Sequence, residues 1–186
     1  MSSLNSSKGR KIHTRNIEIC TYESGGENII VEGILKEDRL IPFYQNSGKK
    51  HPPQTVHNMI IQMLIEPLSL TIKEIKVEMP GTPHKDCVQT SNSLQKLKDM
   101  CIAPGFTSKV KKALGGINGC LHLTTLVLAM APAIIQGYWV YRNKEKGDNE
   151  ISPEILNNYL IDTCWVWRKD GPLMEELKQN GNYSGE

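Results

Sequence analysis

The sequence predicts an α+β domain, with an antiparallel sheet of about four strands covered on one face by helices. Three observations predict it. Residues 17–79 are rich in β-branched residues that tend to alternate. Beyond Pro80 the apolar period becomes helical. From Cys120 to Tyr141 no Asp, Glu, Lys or Arg occurs, as in a helix buried on most sides. Strands first and helices after is the α+β arrangement.

Each element follows in order. Residues 1–12 are polar and read as a disordered tail. Ile17–Tyr22 and Asn28–Lys36 flank Glu-Ser-Gly-Gly-Glu and read as a hairpin. Ile41–Thr55 holds Pro42, Gly48, Pro52 and Pro53 and reads as a loop. Val56–Ile65 and Leu70–Met79 are two more strands, turned at Glu66–Ser69. Leu94, Leu97 and Met100 recur at helical spacing, so a helix is expected over Asp86–Asp99. Ala103-Pro104-Gly105 stops it. Thr107 or Ser108 caps a short helix ending at Leu114. Gly115, Gly116 and Gly119 form a loop before a long helix from Cys120 to about Tyr138, kinked near Pro132. Lys144–Asn149 is a charged turn. Ser152-Pro153-Glu154 opens a helix with proline in its first turn. Asp170-Gly171-Pro172 precedes a short last helix. Tyr159, Cys164, Trp165 and Trp167 are expected to pack this end on the core. The expected division is a tail (1–12), one α+β domain (13–168) and a C-terminal helix with its tail (169–186).

Composition narrows the function. The chain has 186 residues, a net charge of +2, 39% hydrophobic and 23% charged residues. So weak a charge does not point to nucleic acid or an anionic membrane. The uncharged run at 120–141 is long enough to span a bilayer, but His122, Thr124, Thr125, Pro132 and Gln136 argue for a buried helix in a soluble domain. The five cysteines are odd in number and widely spaced, and no secretory signal precedes them, so reduced thiols in a cytoplasm are expected.

The chemically informative residues are His57, Cys87, Cys120 and His122. Cys87 and Cys120 are each expected at a helix start, where free N–H groups and the dipole favour thiolate. Two thiolates brought together need a cation between them, and only Lys85 lies within two residues of either. His57 sits at a strand entry after a proline-rich loop. His122 is two residues past Cys120 and reaches the same centre only from a first turn or loop. Thiol plus imidazole suits zinc or an iron–sulphur cluster. Each residue also has a plain structural reading: small core thiols, hydrogen-bonded histidines, and glycines allowing a tight turn. Cys20, Cys101 and Cys164 are read as structural. His13-Thr14-Arg15 is either an anion or partner contact or a solvated entry segment. Walker, Gly-x-Ser-x-Gly and His-Glu-x-x-His motifs do not occur.

His13-Thr14-Arg15, Glu32-Gly33, His57-x-Met59, Cys87, Gly105-Phe106 and Gly115-Gly116-x-x-Gly119-Cys120-x-His122-Leu123 together resemble an uncharacterised bacterial family, a domain of unknown function. The resemblance spans about residues 12–140 and implies a bacterial cytoplasmic protein. More distantly, a strand hairpin followed by cysteines at two helix starts is similar to the iron–sulphur scaffold family of IscU and the NifU N-terminal domain. That resemblance implies a strand-side ligand near His57, with Cys87 and Cys120 as the second and third ligands. The sequence has His where that family has its strand-side Cys, and it lacks the Gly-Cys-Gly turn before Cys87.

These readings lead to one principal expectation. The chain is a metal- or iron–sulphur-binding accessory protein with a Cys/His site and a protein partner. A small enzyme using Cys120 or His122 on a small organic substrate is the alternative, and an interaction module without a site is the third.

Overall fold

Alternation of side chains builds the sheet. The computed structural model describes residues 3–144, 155–180 and Tyr183. Strands β1 (His13–Glu23), β2 (Ile29–Arg39), β5 (Gln54–Glu66) and β6 (Thr71–Gly81) form an antiparallel sheet in the order β1-β2-β5-β6. Along β2, Ile29, Val31, Gly33, Leu35 and Glu37 are all buried, and along β5 so are Met59, Ile61, Met63 and Ile65. A period of two places each set on one face, and the helices cover that face. The chain is therefore α+β, with the core between sheet and helices.

Several boundaries differ from the sequence reading. The expected loop at 41–55 contains a small ribbon, β3 (Phe43–Tyr44) paired with β4 (Lys50–His51). Phe43 there stacks with the His51 ring, with centroids 5.2 Å apart, and the Arg39 guanidinium lies over it, 3.8 Å from its centroid. Within the expected tail, α1 (Ser3–Ser6) is a single helical turn.

The helix expected at 86–99 is present as a 3₁₀ segment, Lys85–Leu97. Its hydroxyls explain the tighter winding. Thr90 donates to the Cys87 carbonyl, Ser91 to that of Val88 and Ser93 to that of Thr90. All three bonds reach back three residues, which competes with the α-helical pattern. Leu94 and Leu97 still bury fully. The chain then adds Met100–Ile102 to the edge of β6. The Ile72 amide donates to the Met100 carbonyl and the Ile102 amide to the Leu70 carbonyl, both at 3.0 Å. This covers part of an otherwise open edge.

Helix α2 (Phe106–Leu114) follows Gly105, whose φ of 88° only glycine adopts readily. Its cap is thus Gly105, not Thr107 or Ser108. Helix α3 (Leu121–Asn143) lies across β1, β2 and β5 and contains Pro132 without interruption. Leu123, Leu126, Val127, Met130, Ile134 and Tyr138 enter the core, which accounts for much of its apolar character. Gly33 lets α3 approach β2 closely, since a Cβ there would stand 2.7 Å from Met130 Sδ.

Beyond Lys144, the expected charged turn lies outside the described residues, as does the helix start at Ser152-Pro153-Glu154. A π-helical turn at Leu156–Leu160 and α4 (Pro172–Gln179) form a second small cluster through Leu156, Leu160, Met174 and Tyr183. Tyr159 and Trp167 pack at the two clusters, as the sequence suggested, whereas Cys164 and Trp165 do not: Trp165 is 78% exposed and lies under the Arg168 guanidinium.

Candidate metal centre

The buried stripe of β2 ends on a charge. After Ile29, Val31, Gly33 and Leu35, the next residue on that face is Glu37. Strand register places its neighbours. Arg15 on β1 stands directly opposite Glu37, and His57 on β5 stands opposite on the other side. A β-bulge follows at once, between Glu37 and Asp38, and gives β5 an extra residue at Val56. His13 is two residues before Arg15, so it shares the same face. His122 arrives from above in the first turn of α3, and Cys120 is the N-cap residue of that helix.

These residues meet on one carboxylate. Arg15 donates to Glu37 Oε1 through Nε at 3.0 Å and Nη2 at 2.8 Å. His13 Nε2 lies 3.1 Å from the same oxygen. His57 Nδ1 is 2.6 Å from Oε2, and His122 Nε2 is 3.5 Å from it. The His57 and His122 rings stack with centroids 3.8 Å apart. On the far side of His122, Nδ1 is 3.8 Å from Cys120 Sγ. Glu37 and His57 are well shielded, with side chains 9% and 12% exposed.

The electrostatics follow from this crowding. Burial pushes the Glu37 carboxyl up. The hydrogen bonds and charges of Arg15 and His57 outweigh it and hold the pKa below the usual value. His122 is pushed down, chiefly by burial and then by its neighbour His57, against the opposing pull of Glu37. Both downward effects favour the neutral imidazole of His122, the form that can ligate an ion or accept a proton.

Glu37, His57 and His122 can each offer one ligand atom, and those atoms lie within 4.8 Å of one another. One carboxylate and two imidazoles form a donor set suited to a borderline divalent ion such as zinc. Ligands around such an ion sit about 3–3.5 Å apart, so binding needs small adjustments: the 2.6 Å contact between His57 and Glu37 opens and any wider separation closes. The surroundings also fit. The second carboxylate oxygen is held by Arg15 and His13, and the second nitrogen of His122 faces a sulphur, the outer contacts that orient metal ligands.

The structure thus brings His57 and His122 together and sets Cys120 beside them, behind His122 as seen from Glu37. It leaves Cys87 outside this group, half-buried in the first turn of the 3₁₀ segment. Cys87→Ser is accordingly expected to leave metal content unchanged, measured by elemental analysis of the purified protein. Loss of bound metal in that variant would contradict the ligand set drawn here. Sequence reasoning missed Glu37, which lies in the charged run Lys-Glu-Asp-Arg and looks like a solvated strand end. The signal was present in its parity with Ile29, Val31 and Leu35. The same test applied to His13-Thr14-Arg15 puts His13 and Arg15 on one face and Thr14 on the other.

No curated protein and no solved structure matches the chain, and the likeness to the iron–sulphur scaffolds receives no support from these comparisons. A family model does match, over residues 13–136, from the first residue of the polar cluster to well beyond the last. The chain belongs to DUF2889, a family described as protein of unknown function.

Proposed function

We propose that the protein binds a single divalent first-row metal ion through Glu37, His57 and His122, with coordination positions left for small ligands. The observation that carries this reading is the convergence of the three donors within 4.8 Å, at the buried end of a sheet. An ion held there would supply Lewis acidity and acidify a bound water. Arg15 and His13 would orient the carboxylate, and Cys120 would hold the His122 ring in register. The donor set favours a single ion over an iron–sulphur cluster. Thiolates hold such clusters, and among the described residues the one group of three converging ligands contains no cysteine. Five free cysteines fit a reducing, cytoplasmic setting.

The test is a zinc titration of metal-stripped protein by calorimetry, with elemental analysis of the protein as isolated. One ion per chain is expected. His57→Ala and His122→Ala should each weaken binding by about a hundredfold or more, as loss of one of three protein ligands implies. Wild-type protein that binds no zinc, cobalt, iron or manganese would end this reading.

A second reading rests on a different observation. Cys120, His122 and Glu37 form a chain of thiol, imidazole and carboxylate, with Cys120 at the start of a long helix. That order suits a thiol nucleophile served by an imidazole base that a carboxylate orients. Cys120→Ser separates the two. Under the metal reading it keeps the ion with at most about a tenfold loss, because the serine oxygen can still accept from His122. Under the thiol reading it abolishes reaction with electrophiles, and His122→Gln slows alkylation of Cys120 by iodoacetamide while sparing exposed Cys164.

A further inference from the structure

The polar cluster has a surplus of donors. Arg15, His13, His57 and His122 all crowd around a single carboxylate, which offers about four lone-pair sites. Arg15 uses Nε and Nη2 on Glu37 Oε1. Its outer edge, formed by Nη1 and the second Nη2 hydrogen, has no partner among the described residues. Its side chain is 39% exposed and that of His13 is 46% exposed, so solvent reaches this edge. The Glu37 carboxylate and the Arg15 guanidinium balance each other in charge. A divalent ion would add positive charge that this pair does not offset.

We infer that the site takes a small organic carboxylate, with its oxygens shared between the outer edge of Arg15 and the bound ion. This deepens the metal reading and rests on it for the ion-side contact. A guanidinium edge offers two parallel N–H groups matched to a carboxylate. The ligand's charge lowers the excess that the ion creates in a shielded place. Glu37 fixes the plane of the guanidinium through its other edge, so little rotamer freedom is lost when the ligand arrives. His13, two residues away on the same strand face and 46% exposed, lies beside Glu37 at the rim of the cluster. This use of His13-Thr14-Arg15 explains why both residues face the site although neither is a ligand.

The experiment uses the full chain saturated with cobalt(II), whose visible spectrum reports changes in its ligands. Acetate, oxalate and inorganic phosphate are titrated in turn, with acetamide as the neutral control. Acetate or oxalate should shift the spectrum with saturation, and acetamide should not. Arg15→Lys keeps a charge but loses the fork, and Arg15→Gln loses both. Anion affinity should fall about tenfold in the first and further in the second, as loss of charge-assisted hydrogen bonds implies. Saturating cobalt separates this effect from any weakening of the metal through Glu37. Carboxylate affinity unchanged in Arg15→Gln, with cobalt still bound, overturns the inference and leaves the metal reading standing. Phosphate bound more tightly than either carboxylate would overturn the ligand class. Failure of the wild-type protein to bind cobalt sinks both readings.

Discussion

Glu37→Gln is expected to lower affinity for the proposed metal ion by at least about a hundredfold, at little change in shape. Glutamine has the same volume and keeps one oxygen for Arg15 and His13. It removes the negative charge and turns an amide nitrogen toward His57 and His122, or else toward Arg15. A nitrogen turned toward Arg15 sets donor against donor, and one turned toward His57, 2.6 Å from Oε2 in the wild type, needs the tautomer whose Nδ1 accepts. Some stability should go as well. Breaking a fully buried pair costs about 3–5 kcal/mol, but Arg15 is 39% exposed and water can resolvate it, so about 1–2 kcal/mol is expected. Competition with a chelator of known affinity measures the first effect, and urea unfolding of metal-free protein the second. Wild-type zinc affinity in Glu37→Gln would remove the carboxylate from the ligand set.

Gly137→Val is expected to damage the fold strongly, costing about 3 kcal/mol. Helix α3 crosses β1 at this glycine. A Cβ there would stand 2.7 Å from Thr21 Cβ and 2.8 Å from its Cγ2, with Thr21 Oγ1 closer still. Threonine is branched at Cβ and fixed on a strand, so it cannot swing aside. Gly33 is the instructive contrast. There a Cβ would meet Met130 Sδ at 2.7 Å and Cγ at 2.9 Å, but methionine is unbranched and can repack. Gly33→Ala is therefore expected to cost less than about 1.5 kcal/mol. Gly137→Ala should cost more, even after the helix propensity gained, about 1 kcal/mol, is counted. Urea denaturation of the variants ranks them. If Gly137→Ala unfolds at a higher urea concentration than wild type, the close crossing of α3 over β1 is wrong.

These two sites also show what was legible beforehand. The β-rich runs at 29–36 and 56–65 report strands, but Ile60 and Leu64 between Met59, Ile61 and Met63 leave both faces partly apolar in sequence, and the structure buries the face of Met59, Ile61 and Met63. The uncharged stretch from Cys120 to Tyr141 reports one long apolar helix, of which the face carrying Leu123, Leu126, Val127, Met130, Ile134 and Tyr138 enters the core while Leu121 and Val140 stay exposed. Helix type at 85–97 was not legible, because apolar spacing resembles that of an α-helix while the hydroxyls of Thr90, Ser91 and Ser93 decide the winding locally. His57, Cys120 and His122 were recognisable as reactive residue types in suggestive places. Glu37 was not, since a carboxylate in a charged run is ordinarily solvated.

The amino-acid sequence by itself determined the α+β class, the order of strands before helices, and the placing of imidazole and thiol groups at element starts. Those properties depend on residue type and on spacing along one segment. The tertiary structure alone decided that Arg15, Glu37 and His57 form one row across three strands, that His122 closes over it, and that Cys87 stands outside. Such a row depends on register between strands far apart in the chain, where a shift of one residue would turn Glu37 toward the opposite face. No local pattern records that register; the packing of α3 on the buried stripe of β2 and β5 selects it.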